Sequence, residues 1–181
     1  LIFAYGKDKD KLTFLGFVNI KDELRDEAKE GIKLIKSAGI KPIMITGDAI
    51  DTATSIAREV GLIDINNNMV LDSNMLAQMN DDEIKRNLSK IAVIARALPQ
   101  DKSRMVNIIE SMDLVVGMTG DGVNDAPALK KANVGFAMGS GTEVAKEAAD
   151  IVILDNNILS ISKAILYGRT IFKSIRKFII Y

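Results

Sequence analysis

The 181-residue sequence contains no cysteine, histidine or tryptophan, and aromatic residues make up only 5% of it. These absences exclude disulfides, thiolate and imidazole metal sites, cysteine nucleophiles and every catalytic triad that needs a histidine base. Charge of one sign is also lacking, since Lys plus Arg total 24 and Asp plus Glu total 24. No global field therefore favours nucleic acid or an anionic surface, and charge-driven binding has to be local. No run of about 18 uncharged apolar residues is present, as a membrane-spanning helix needs. The short apolar start Leu1 to Gly6 runs at once into Lys7, Asp8, Lys9 and Asp10, which does not read as a secretory leader. What is left for chemistry is carboxylates, lysine, arginine, hydroxyls and backbone amides.

Hydrophobic residues at 48% and charged residues at 27% are the proportions of a folding, globular chain. A chain of this length forms one domain and buries roughly 70% of its unfolded surface. Short β-branched runs alternate with longer helical patterns, the mark of parallel βαβ units with helices on both sheet faces. The pattern predicts strands at Lys11 to Asn19, Pro42 to Thr46, Met69 to Leu71, Ile91 to Ala95, Leu114 to Met118, Val134 to Met138 and Ile151 to Leu154. Helices are expected over Asp22 to Ala38, from Asp48 as cap to Val60, from an Asn80/Glu83 N-cap pair to Lys90, over Gln100 to Met112 and over Thr142 to Ala149, with a turn at Asn66 to Asn68. From Ile158 one long helix begins, with Ile158, Ile161, Ile165, Phe172, Ile175 and Ile179 at three-to-four spacing and Lys163, Arg169, Lys173, Arg176 and Lys177 mostly elsewhere. Residues 1–157 and 158–181 thus read as an α/β domain and an appended basic amphipathic helix.

The densest chemical signal is Thr119-Gly120-Asp121-Gly122-Val123-Asn124-Asp125-Ala126-Pro127, directly after one strand and before a helix. Ligands of open α/β sheets bind outside the carboxyl ends of the strands, so Asp121 and Asp125 fall where a bound group meets the sheet. Carboxylates without histidine or cysteine suit a hard cation such as Mg²⁺, which shares its shell with water and phosphate oxygens. The plain structural reading is that Asp125 caps the next helix and Asp121 shapes a turn. Thr46-Gly47-Asp48 repeats the architecture at a second strand end, and Lys102 follows a third. Hydroxyl, lysine and paired aspartates at successive strand ends are the parts that hold a phosphoryl group and its magnesium.

This constellation resembles the haloacid-dehalogenase-like fold, and the fuller strings narrow the resemblance. Thr46-Gly47-Asp48, Pro99-x-x-Lys102 and the unbroken Thr119 to Leu129 string, with Met138-Gly139, resemble the phosphorylation domain of P-type cation-transporting ATPases from about Leu12 to Tyr181. Asp22 and Arg25 match a family Asp-Pro-x-Arg element in which Glu23 replaces the proline. The resemblance implies a Rossmann-like parallel sheet flanked by helices. It also implies that Thr46, Gly47 and Asp48 contact the phosphoryl group and nucleotide, that Lys102 pairs with the γ-phosphate of ATP, and that Arg96 reaches the ribose side. Asp121 would ligate Mg²⁺, with Asn124 and Asp125 completing the phosphate site.

Family members form an aspartyl phosphate on an Asp-Lys-Thr-Gly-Thr motif, which this sequence does not contain. The expectation is that the nucleophile and its strand lie upstream, and that the nucleotide-binding, actuator and membrane domains of the same pump are the partners. Tyr167-Gly168-Arg169-Thr170 and the basic stretch to Tyr181 resemble a stalk, which places the chain on the cytoplasmic face of a membrane. The Gly139 to Lys146 stretch looks most like calcium pumps of the plasma-membrane type in bacteria.

Two other functions compete. A free-standing phosphatase of the same superfamily needs an Asp-x-Asp at the end of a strand, and none is read there. A non-enzymatic module would bind only Mg²⁺ and phosphate through Thr46, Lys102 and Asp121. The family topology puts the nucleophile strand between those ending at Thr46 and Thr119. The chain alone is therefore expected either to be poorly stable or to pair these two strands directly.

Overall fold

A computed structural model describes residues 1–8, 10–18, 24–64 and 68–180. Elements follow the alternation read from the sequence. A hairpin of β1 (Ile2–Tyr5) and β2 (Thr13–Phe17) precedes α1 (Asp26–Ser37), β3 (Met44–Ile45) and α2 (Ile50–Glu59). Next come β4 (Met69–Asp72), α3 (Ser73–Gln78), α4 (Asp81–Asn87), β5 (Ile91–Ala95), α5 (Pro99–Glu110) and β6 (Gly117–Gly120). A 3-10 turn at Val123–Asp125 leads to α6 (Ala126–Lys131), β7 (Val134–Met138), α7 (Glu143–Ala148), β8 (Ile151–Ile153) and α8 (Ile158–Ile180).

Apart from the antiparallel hairpin, all pairing is parallel, in two separate sheets ordered β3-β5-β4 and β6-β7-β8. Central β5 is buried at every residue, Ile91 to Ala95, as a parallel strand covered on both faces must be. Ile32, Ala53, Ala57, Val60 and Leu62 of α1, α2 and the turn after α2 pack with Ala92 and Val93. Leu71, Leu76, Ile84, Leu88, Met105 and Ile108 pack with Ile91 and Ile94. In the second sheet, α5 and α6 contribute Val106, Ala128 and Ala132 against Val116, while Phe136 and Ile153 pack with Ile161 of α8.

Among the described residues the two sheets are joined by side chains rather than by a ladder. Helix α5 presents Met105 and Ile108 to the first sheet and Val106 to the second. Helices α1 and α8 form the other brace: Gly31 leaves no room for a Cβ against Cγ2 of Ile158, and the Arg169 guanidinium donates to the Ala38 carbonyl at 2.6 Å. Among the described residues β3 pairs only with β5 and β6 only with β7, so the direct β3–β6 pairing held out as one alternative is not what forms.

Several boundaries move, each for a local reason. The strand expected from Leu114 begins at Gly117 and runs through Gly120, because the ladder opens where Val134 N–H meets the Val116 carbonyl at 3.1 Å. Leu114 and Val115 have no place in it and are exposed. Asp48 does not cap α2, whose N-cap is Ala49. Helix α3 goes unseen in the sequence, although Asp72 caps it by accepting the Met75 N–H at 2.8 Å. The Asn80/Glu83 capping box and the Thr142 cap form as expected. On α8 the apolar stripe splits: Ile158, Ile161 and Ile165 pack inward, whereas Phe172, Ile175 and Ile179 are exposed. The expected turn at Asn66 to Asn68 falls largely outside the described residues, as do Asp22 and Glu23.

Free edges carry a measurable signature. Thr46 directs its N–H to the Ile94 carbonyl and its own carbonyl to Ala97 N–H, so the neighbouring Ile45 amide points to the unpaired side of β3. Its hydrogen exchange is expected to be at least about 100-fold faster than that of Val93 or Ile94. Equal protection, measured by NMR, would show that the edge is covered.

Candidate functional site

Parallel strands aim their carboxyl ends to one side, and the chemistry-bearing residues gather there in two groups. The first is the loop after β3. The Thr46 hydroxyl donates to Oδ2 of Asp48 at 2.9 Å and accepts the Asp48 N–H at 3.1 Å, a self-contained turn. The loop after β5 clamps it from the side: Arg96 N–H donates to the Asp48 carbonyl and Ala97 N–H to the Thr46 carbonyl, both at 2.9 Å. To do so Arg96 adopts a left-handed backbone, φ 48°, a conformation that side-chain-bearing residues seldom take outside functional loops. Gly47, Asp48 and Arg96 are exposed.

The second group is built on Asp125. Its carboxylate is buried, with Oδ1 on the Lys102 ammonium and Oδ2 accepting the N–H groups of Asp121 and Gly122 at 3.2 Å each. Burial pushes this carboxyl up, but the Lys102 hydrogen bond and charge and the two amides outweigh it and hold it below the ordinary value. Gly120 makes the approach possible, because a Cβ there would lie 2.5 Å from Cβ of Asp125. Asp125 therefore does not cap α6 by its side chain.

Lys102 reaches it from the first turn of α5, whose start is set by Pro99 and by Asp101. Asp101 is buried and accepts the Leu98 N–H at 2.8 Å and the Ser73 hydroxyl at 2.7 Å. Arg104, one turn further on, donates to the Leu76 and Met79 carbonyls at 2.9 and 2.7 Å and pairs with Asp81. Neither Asp101 nor Arg104 stands out in the sequence, though the Pro99-x-Asp101 spacing is a readable helix start.

Asp121 and Asn124 are exposed. Among the described residues no hydrogen bond links the Thr46 group to the Lys102–Asp125 group, and no three acidic side chains gather into a metal cage. The donor set fits Mg²⁺ held by one carboxylate, Asp121, with water and phosphate oxygens filling the rest of its shell. An Asp-x-Asp string does occur, Asp8 to Asp10, but in the antiparallel hairpin turn, where Asp8 accepts the Asp10 N–H at 3.4 Å.

This arrangement is matched by the family model described as haloacid dehalogenase-like hydrolase over residues 3–133, and by a second model of the same description over residues 103–165. The chain belongs to the haloacid dehalogenase-like hydrolases. Relatives of this hydrolase domain include calcium-transporting ATPase 1 of Lactococcus lactis subsp. lactis, 44% identical over 96% of the chain and 20% of that protein. The calcium-transporting ATPase of Bacillus subtilis is 43% identical over 96% of the chain and 19% of its own length. The chain thus spans about a fifth of the curated relatives it matches. Among solved structures, a zinc-transporting PIB-type ATPase in the E2.Pi state superposes with a TM-score of 0.66 at 31% identity, covering 87% of this chain and 21% of that one. The catalytic domain of a CPx-ATPase, CopB-B, gives 0.56 at 25% identity, covering 85% and 47%.

A carboxyl held below its ordinary 3.8 in the folded chain contributes stability that is complete above that value and is lost as pH falls through the folded-state value. Asp125→Asn is therefore expected to cost about 2 kcal/mol in urea unfolding at pH 7. The gap from the unsubstituted chain should shrink as pH drops below about 4. A gap independent of pH would show that the charge of Asp125 is not what holds the loop.

Proposed function

We propose that this hydrolase domain is the phosphate- and magnesium-holding part of a P-type ATPase that couples ATP hydrolysis, through an aspartyl phosphate, to transport of a cation, calcium in the first instance. The supporting observation is the Asp125 cradle. Lys102 and two backbone amides converge on one carboxylate beside an exposed Asp121 after β6 of the second sheet, and Lys102 is rooted on α5, which follows β5 of the sheet that carries Thr46, Gly47 and Asp48 at the end of β3. The calcium-transporting relatives, at over 40% identity across nearly the whole chain, favour calcium over other cations.

In this reading the γ-phosphoryl group of ATP passes to an aspartate supplied by the intact pump, ADP leaves, and water later cleaves the acyl phosphate. Lys102 neutralises phosphoryl charge, Asn124 and Asp125 complete the phosphate site, and Thr46, Gly47 and Asp48 hold its other side. Arg96, exposed beside that loop, lies toward the nucleotide. Asp121 would hold Mg²⁺, which would supply positive charge to offset that of the transferring group. Residues 1–157 serve as the phosphorylation domain and 158–181 as the stalk, on the cytoplasmic face. No described helix is long and apolar enough to cross a membrane, so the membrane path belongs to other segments.

The rival reading, a binding module without turnover, differs in one measurement. In a chain joined to a segment bearing Asp-Lys-Thr-Gly-Thr, Mg²⁺-dependent phosphoenzyme is expected to form from labelled ATP and to be abolished by Asp121→Asn. The 181-residue chain alone is expected to form none and to release no phosphate. Normal phosphorylation of the Asp121→Asn protein would sink the assignment of Asp121.

A further inference from the structure

The turn Gly139-Ser140-Gly141-Thr142 between β7 and α7 meets Ile153, Leu154 and Asn156 through its first two residues and Asp121 through its last two. Gly139 donates its N–H to the Ile153 carbonyl at 2.8 Å, and a Cβ on it would stand 2.9 Å from Cα and carbonyl oxygen of Leu154. Ser140 sends both its N–H, at 2.9 Å, and its hydroxyl, at 3.1 Å, to Oδ1 of Asn156. Gly141 lies so close beneath Asp121 that a Cβ would be 2.8 Å from its carbonyl oxygen and 3.0 Å from its Cα. Thr142 N–H then donates to that same Asp121 carbonyl at 2.8 Å. The turn is a wedge of backbone thickness, with the segment entering α8 on one side and the Asp121 loop on the other.

Asn156 is the outer anchor. It sits at φ 54°, in the left-handed region that asparagine tolerates better than most residues. Its N–H donates to the Ile153 carbonyl at 3.2 Å, and its own carbonyl accepts from Nη1 of Arg25, at the start of α1, also at 3.2 Å. The next residue caps α8, Oδ1 of Asn157 accepting the Leu159 N–H at 2.9 Å. One asparagine thus ties together the Ser140 turn, the foot of α1 and the entry of α8.

We infer that Asn156 is a positioning residue that, through the Ser140–Thr142 wedge, holds the Asp121 backbone in register with the entry of α8. Its metal consequence rests on the proposed role of Asp121; the mechanical link does not. Removing Oδ1 leaves two donors without their acceptor and frees the wedge on its outer side, so the Asp121 carbonyl loses a fixed partner two residues away.

The test uses the 181-residue chain, labelled with ¹⁵N. Asn156→Gly tolerates the left-handed backbone and removes the carboxamide with its acceptor, whereas Asn156→Asp keeps an acceptor oxygen and the short branched shape. Asn156→Gly is expected to speed amide exchange at both Ser140 and Thr142 by about tenfold, the equivalent of one lost hydrogen bond, with β5 amides unchanged. Asn156→Asp is expected to retain protection at both. Faster exchange at Ser140 with Thr142 unchanged would overturn the link to Asp121, and a uniform rise across β5 would reduce Asn156 to a general stabiliser. Titration with Mg²⁺ alone, followed at the Asp121 and Gly122 amides, is expected to show weaker binding in Asn156→Gly and loss of binding in Asp121→Asn. Unchanged Mg²⁺ response in Asp121→Asn would refute the metal role while leaving the exchange result to decide the link.

Discussion

Two three-stranded parallel sheets that share no ladder among the described residues have to be held in one molecule by something other than strand pairing, and helix α5 is the main member that does so. Its apolar residues enter both cores, its first turn is fastened by Asp101 to Leu98 and Ser73, and its Lys102 crosses to Asp125 on the far sheet. A pair of opposite charges in a poorly hydrated place costs stability unless both groups are well bonded. Here Asp125 has all its needs met by one ammonium and two amides, so the pair can serve as a joint. The loop that carries Asp121 takes its shape from that joint.

The candidate site divides along the same line. Thr46, Asp48 and Arg96 belong to the first sheet and are cross-bonded through their backbones, while Asp121, Asn124 and Asp125 belong to the second. Lys102, rooted on the first side, reaches across. A phosphoryl group gripped from both sides would therefore draw on the relative placement of the sheets, and that placement depends on α5 and on the α1–α8 contact at Gly31 and Ile158.

Much of this was readable from local pattern. β5 and β7 are continuous apolar runs bounded by turns, and the Asn80/Glu83 and Thr142 caps are short-range signals, so they emerged where expected. The ring of candidate residues at strand ends was likewise legible, because a motif after a strand stays at that strand's end whatever the packing. What escaped is what depends on distance along the chain. The start of β6 is set by Val134, the joining of Lys102 to Asp125 spans 23 positions, and Arg25 meets Asn156 across 131. Asp48 illustrates the other limit. A capping aspartate and one that turns back to its own threonine look alike in sequence, and here the clamp from Arg96 and Ala97 selects the second. Asp125 could be placed in the loop after a strand, but its bonds to Lys102 and to the Asp121 and Gly122 amides could not be read from the sequence.

Helix α8 is seated over its first three turns by Ile158, Ile161, Ile165 and Arg169, and its remaining residues stand clear of the domain. At 1.5 Å per residue its 23 residues span about 34 Å. The residues beyond Arg169 form a free arm of about 16 Å, and a tilt of about 10° where it leaves the seat carries the Ile180 end through about 3 Å. The seat adjoins Asn156, so a small angular change there becomes, at the far tip, a displacement of about half a helical turn.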